Sequence, residues 1–136
     1  MEKKEQDKSF SPNANLWLDV KRDIEAKIIT GKYAAGYKIP TIMELAEQYN
    51  IGKTTAQKVI GGLFDDGTII KKVGMGCFVK PFIKEKLLAL HKKELKAHMI
   101  SVIEEACLLG LDRDYIVRLT EEAWKEVNCA EKEPSV

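Results

Sequence analysis

Apolar residues at Leu16, Val20, Ile24 and Ile28 recur every four positions, and Trp17 and Ile29 widen the stripe. This pattern predicts an amphipathic helix. Gly31 stands where such a helix would stop. Lys32 to Pro40 predicts a turn and then a short extended piece, because Pro40 biases Ile39 away from helix. Thr41-Ile42-Met43-Glu44 has the spacing of a capping box, with Thr41 as N-cap and Glu44 reaching back to it. The helix it opens would bury Ile42, Leu45, Ala46 and Tyr49. Asn50 would end it, since Asn tolerates the left-handed conformation. A third helix is predicted from Lys53 to Phe64, with Ala56, Val59, Ile60 and Leu63 inward. Two short helices separated by Asn50-Ile51-Gly52 have helix-turn-helix spacing.

After Asp65-Asp66-Gly67 the period changes. Thr68–Val73 and Cys77–Lys80 predict two strands, joined by Gly74-Met75-Gly76 as a glycine-rich hairpin tip. Helix-turn-helix followed by a basic hairpin is a winged helix. Pro81 closes that unit. A second helical unit starts near Lys84 with a seam at Leu88, Leu95, Met99, Val102, Ala106 and Leu109, spaced as for a helix packing lengthwise on another. Gly110 would end it. Asp112 would cap a last helix from about Arg113 to Asn128, with Ile116, Leu119, Ala123, Trp124 and Val127 on its apolar face.

The predicted fold class is thus mainly α with a small β-hairpin wing: a winged helix-turn-helix domain followed by a two-helix tail. The expected divisions are a flexible arm at 1–15, the winged-helix domain at 16–80, a helical dimerisation tail at 81–128 and a frayed end at 129–136.

Composition adds limits. The chain has 136 residues, 45% hydrophobic and 32% charged, the balance of a globular protein. No apolar run approaches the roughly 20 residues of a membrane span. The charged beginning, Met1 to Lys8, lacks the apolar core of a secretory signal. Cys77, Cys107 and Cys129 are too few and too far apart for a disulfide framework or a Cys-x-x-Cys site, so free thiols in a reducing cytoplasm are expected. The net charge of +1 conceals an asymmetry. Residues 16–80 hold 10 basic and 7 acidic residues, whereas residues 81–136 hold 9 and 11. That leans the first part towards an anionic partner.

Candidate chemistry follows the same division. The third helix presents Lys53, Thr54, Thr55, Gln57 and Lys58: hydroxyls and an amide for base edges, ammonium groups for phosphates. Its N-terminus also favours an anion. An ordinary solvated helix face has the same composition, and it is the context of capped helix, turn and hairpin that favours DNA. The wing adds Lys71 and Lys72, with Gly74 and Gly76 around Met75 allowing close backbone approach to a groove or a phosphate. Thr41 completes the expected contact set. His91 and His98 lie two helical turns apart and cannot share a metal as i, i+4 pairs do. Neighbouring carboxylates such as Asp65-Asp66 point apart, and no nucleophile or phosphate-loop motif appears. An enzyme is not expected, nor a cofactor or a metal.

The chain resembles the GntR family of bacterial transcription regulators over residues 17–79. Ile28-Ile29-Thr30-Gly31-Lys32-Tyr33-Ala34-Ala35-Gly36-Tyr37-Lys38-Ile39-Pro40 is similar to the family's I-x-x-G-x-x-x-x-G-x-x-L-P. Glu44-Leu45-Ala46, Lys53-Thr54-Thr55-Ala56, Leu63-x-x-x-Gly67 and Gly74-Met75-Gly76-Cys77-Phe78-Val79 continue the likeness. The short tail, with Ala106-Cys107-Leu108-Leu109-Gly110-Leu111, resembles the YtrA-type subfamily, whose tail serves dimerisation. The resemblance implies a cytoplasmic repressor, and a neighbouring ABC-transporter operon as its target. There are departures. Met43 stands where the family has an Arg that commonly contacts DNA, and it cannot make a charged contact. Gly52 replaces the Ser that caps the recognition helix. Lys53 and Gln57 replace Arg. Gly61-Gly62 lowers the helicity of the recognition helix.

The expectation is therefore a homodimer binding double-stranded operator DNA at an inverted repeat, with dimer contacts at Leu88, Leu95, Met99, Val102, Ala106, Leu109, Ile116, Leu119 and Trp124. The rival is a winged-helix protein-interaction module without specific DNA binding, supported by Met43 and the near-neutral charge. No membrane partner is expected. Two tail helices are too few for a large effector domain, and whether a small-molecule effector binds stays open.

Overall fold

A proline opens the first helix. The computed structural model describes residues 12–130, and α1 runs Pro12–Ile29. Residues 12–15, expected in the arm, belong to α1 instead, because proline suits a first helical position: it lacks only an N–H that the first turn leaves unpaired anyway. Residues 1–11 and 131–136, including most of the expected frayed end, lie outside the described residues. The chain continues as α2 (Ile42–Gln48), α3 (Lys53–Asp65), β1 (Ile69–Lys72), β2 (Gly76–Val79), α4 (Lys84–Leu108) and α5 (Arg113–Ala130). The last helix carries two residues past the expected end and includes Cys129.

Val20, Ile24 and Ile28 of α1 are buried as their spacing demands, over Leu45 of α2 and Ala56, Val59 and Leu63 of α3. Ile60, expected inward on α3, is half-buried and packs at the edge of this core. Gly31, at φ +92°, stops α1, and the Tyr33 N–H donates back to the Lys27 carbonyl at 3.0 Å. Thr41 caps α2 as a complete capping box: its hydroxyl accepts from the Glu44 N–H at 3.1 Å, and its own N–H donates to Glu44 Oε1 at 2.9 Å. Asn50, at φ +54°, makes the left-handed step of the turn.

The wing is an antiparallel hairpin pairing Ile69 with Val79 and Lys72 with Gly76. Its first strand is shorter than predicted, because Thr68 is a buried loop residue and Val73 belongs to the tip, and its second is shifted back by one residue. Residues before Pro40 add a third edge. The Ile39 N–H donates to the Cys77 carbonyl at 2.8 Å, and the Val79 N–H to the Tyr37 carbonyl at 2.9 Å. Ile39, Ile69 and Val79 thereby enter the same core.

That core does not end at Pro81. Ile83 and Leu87 also belong to it, and two compact units meet between Leu90 and His91, inside α4. Residues of α4 up to Leu90 thus belong with the winged helix. In the second unit, Gly110 at φ +77° turns the chain, the Leu111 N–H donates to the Ala106 carbonyl at 2.9 Å, and Asp112 caps α5 through the Tyr115 N–H at 2.9 Å. Past this turn α4 and α5 do not pack along one another. Leu95, Met99, Val102, Leu109, Leu119 and Trp124 are exposed in the protomer, while Leu88 and Ile116 are half-buried. Ala106 is buried in the protomer, where its carbonyl accepts from the Leu111 N–H at the α4–α5 corner.

A polar cluster invisible to periodicity ties α1 to α2. The Tyr49 hydroxyl donates to Asp23 Oδ2 at 2.6 Å and accepts from Lys27 Nζ at 2.9 Å. The Tyr49 bond, followed by the Lys27 charge, holds the Asp23 carboxyl below its ordinary 3.8. A lowered carboxylate pKa stabilises the fold above the unfolded value, and that share is lost as pH falls through the folded one. Lys27 is raised above its ordinary 10.5, first by Tyr49, so its share is full below 10.5 and is lost only at higher pH. Tyr49→Phe is expected to lower stability by about 1 kcal/mol near neutrality, the worth of a typical hydrogen bond. It should also weaken the fall in melting temperature between pH 5 and 3. Thermal melts across that range check this, and identical acid slopes would refute it.

Candidate nucleic-acid interface

The recognition element is α3, and its orientation follows from which of its faces are used up. Ala56, Val59 and Leu63 point into the core. Lys53, Thr54, Gln57 and Lys58 are exposed, and Thr55 is half-buried. Gly52 is the N-cap and supplies no side-chain bond, which leaves first-turn N–H groups open to an outside acceptor. Thr54, Thr55, Gln57 and Lys58 share a shallow depression with Trp17 of α1. Lys58 Nζ lies 5.5 Å from the Trp17 ring centroid, so the indole restrains one of the candidate phosphate contacts.

Trp17 reaches α3 because Gly62 makes room for it. A Cβ at Gly62 would stand 2.8 Å from Trp17 Cζ3, inside any real contact. The two adjacent glycines are therefore unlike. Gly62 is a packing requirement, whereas a Cβ at Gly61 would meet nothing within 4 Å.

On the wing, Lys71 and Lys72 are exposed. Gly74 and Gly76 take φ of +76° and +113°, which other residues rarely adopt. Between them Met75 projects, and its N–H closes the tip on the Lys72 carbonyl at 2.9 Å. Lys72 Nζ sits 4.9 Å from the Phe78 centroid. Thr41 lies near both elements, lining one groove with Gln57 and Lys71. The one helix-turn-helix and its wing thus gather the predicted contact residues at α3, the α2 N-terminus and the hairpin. Two contributors were not singled out: Lys38, whose side chain crosses Gly76, and Trp17, which periodicity placed only in an apolar stripe. No acidic residue occurs on α3 before Asp65 or on either wing strand. Among the described residues, no three His, Cys, Asp or Glu side chains gather as a metal site would need.

A family model for gntR-family bacterial regulatory proteins matches residues 16–79, the helix-turn-helix and wing just described. Over these residues the chain is similar to GntR-family regulators. It is similar to an uncharacterized HTH-type transcriptional regulator, YurK, of Bacillus subtilis, at 36% identity over 56% of this chain and 32% of that one. It is also similar to a probable fructoselysine utilization operon transcriptional repressor of Escherichia coli, at 40% identity over 48% of this chain and 27% of that one. The chain thus spans about a third or less of the length of these curated relatives. A solved GntR family transcriptional regulator from Listeria monocytogenes superposes with a TM-score of 0.69 at 25% identity, covering 83% of this chain and 98% of that one. That match extends past the winged helix, so the GntR architecture with a short helical tail recurs outside this chain.

Within the winged-helix domain the two glycines of α3 make opposite predictions. Gly61→Ala should stabilise by roughly 0.5–1 kcal/mol, the helix-propensity gain with no steric penalty. Gly62→Ala should instead destabilise by about 1 kcal/mol, because displacing Trp17 outweighs the same gain. Urea denaturation of both variants measures this, and an equal gain at both positions would contradict the close packing of α1 on α3.

Proposed function

We propose that the protein is a sequence-specific, DNA-binding transcription regulator of the YtrA-like type, a cytoplasmic repressor that occludes a promoter as a homodimer. The observation that carries this is the juxtaposition of Lys53, Thr54, Gln57 and Lys58, exposed on α3, with a basic wing on a GntR domain. Thr54, Thr55 and Gln57 meet base edges in the major groove. Lys53, Lys58, Lys71 and Lys72 neutralise phosphates, and Gly74-Met75-Gly76 approaches the adjacent minor groove. The repressor named among the relatives supports the sign of regulation. The exposed apolar positions of α4 and α5 support pairing through the tail. A two-fold dimer would set two recognition helices about 34 Å apart, or a multiple of that, and so read an inverted repeat.

One observation favours a second reading, a winged-helix protein-interaction module. Met43 is 68% exposed on α2, at the position where the family resemblance places an Arg. Titration with duplex DNA separates the two.

Operator affinity should fall with salt at a log–log slope of about −0.9 per phosphate neutralised. Lys58→Ala should reduce that slope by about 1 for each domain bound, whereas Gln57→Ala should relax base preference at a cost of about 1–3 kcal/mol. Anisotropy over a salt series reads both, and an affinity indifferent to salt would rule out the DNA reading. Sedimentation at micromolar concentration should show a dimer, and Leu95→Asp should shift it towards monomer. A strictly monomeric wild type would refute tail pairing.

A further inference from the structure

An apolar groove runs between α2, the later half of α3 and the wing, enclosing about 480 Å3. Its walls are chiefly Ile42, Ile60 and Phe64, with polar atoms supplied by Thr41, Gln57 and Lys71. Phe64 is half exposed, an aromatic ring left open on an otherwise polar face. Gly61 lines the groove, and a Cβ there would meet nothing, so the absence of a side chain keeps that stretch open. Volume and lining match small-molecule sites, which are roughly 300–1,000 Å3 and mostly apolar with a few convergent polar groups.

The charge around it has one sign. No Asp or Glu lines the groove, and Lys71 is its charged member. Lys38 brings a second ammonium to the wing end: a Cβ at Gly76, which lines the groove, would stand 2.9 Å from Lys38 Cε and 3.8 Å from its Nζ. Among the described residues neither lysine forms an ion pair. An apolar trough with two uncompensated cations at its edge suits an amphipathic anion.

We propose that this groove binds a small aromatic carboxylate, its ring between Ile42, Ile60 and Phe64 and its carboxylate at Lys71 and Lys38, and that this ligand and DNA exclude each other. Exclusion follows because Thr41, Gln57, Lys71 and Gly76 belong both to the groove and to the proposed DNA contacts. That half rests on the DNA-binding reading above; ligand binding does not.

The test uses the full chain with 4-phenylbutanoate and its uncharged amide. Ligand-observed NMR should show saturable binding of the acid, with the amide about tenfold weaker for want of the charge-assisted contact. Gly61→Leu fills the groove while raising helix propensity, and Lys71→Gln removes a surface charge; both should fold by circular dichroism and both should lose the acid. At five times its Kd the acid should slow alkylation of Cys77, a groove residue, about sixfold, as 1 + [L]/Kd requires. Cys107, in the tail, should be unaffected. Displacement of bound duplex in the same concentration range completes the proposal. No binding of the acid, equal binding of acid and amide, or unchanged binding by Gly61→Leu would overturn it. If Gly61→Leu weakens duplex binding while the acid never binds, the groove belongs to DNA. If the acid binds but the duplex stays, exclusion is overturned; if no duplex is bound even without the acid, the DNA reading fails and the ligand site stands.

Discussion

The reading head depends on how closely α1 approaches α3. At Gly62 there is no room for a single extra carbon against the Trp17 ring. Close approach lets Val20 and Ile24 reach the layer formed by Val59 and Leu63, where burying such side chains contributes about 1.5–3 kcal/mol each. Lys21 fastens the same crossing. Its ammonium bonds Glu25 at 2.9 Å on its own helix and Asp66 at 2.6 Å, the residue that caps α3. Burial works against the charge, yet the two carboxylates together raise the Lys21 pKa above its ordinary value. The pair is part-exposed, so it fixes geometry more than it adds stability. What it fixes is the roll of α3, and the roll decides which residues face outward.

That constraint explains why a helix with two glycines near its end still serves. Propensity charges roughly 1 kcal/mol for each glycine against alanine. At Gly62 the loss is offset by close packing on Trp17, whereas at Gly61 a Cβ would meet nothing within 4 Å. The cations beside this helix are few but restrained. Lys58 lies over Trp17 and Lys72 over Phe78. Holding a flexible ammonium before a phosphate arrives lowers the entropy lost on binding. A head with few charges gains most from such ordering.

Local rules made much of this visible in the sequence. The capping box of Thr41 and Glu44, the left-handed Asn50, the stops at Gly31 and Gly110 and the cap at Asp112 each depend on neighbours within a few residues. The wing was legible because its glycines and its switch of period are local too. What could not be read was non-local. That Gly62 accommodates Trp17 requires knowing how two helices cross. The Asp23, Tyr49 and Lys27 cluster joins residues 22 or more apart whose identities look like ordinary surface. Ile83 and Leu87 looked like the start of a separate tail, since periodicity tells that a face is apolar but not what covers it. Ala106 fell on the seam for the same reason, and its burial is set by a turn several residues later.

The tail shows the converse case, an apolar face left exposed among the described residues. Leu95, Met99, Val102 and Ile103 on α4, and Leu119, Trp124 and Val127 on α5, are all exposed although both helices are well formed. Helices of this length gain most of their stability from packing an apolar face, not from propensity. Two such helices that meet only at their turn forgo that gain within one chain. Isolated exposed Leu or Val residues are common on any surface; a run of them on two successive helices is not. The proposed pairing with a second copy would resolve this, because an isologous interface needs only that one face be complementary to itself. The same pairing would offset the charge deficit of the head. With 10 basic against 7 acidic residues over 16–80, one head gathers little attraction for a polyanion. In the proposed dimer, two heads joined through their tails would bind as one, the second at an effective concentration set by the linkage, and affinity would rise without a new contact. On the proposed dimer, the apolar tail and the sparsely charged head would be complementary parts of one solution.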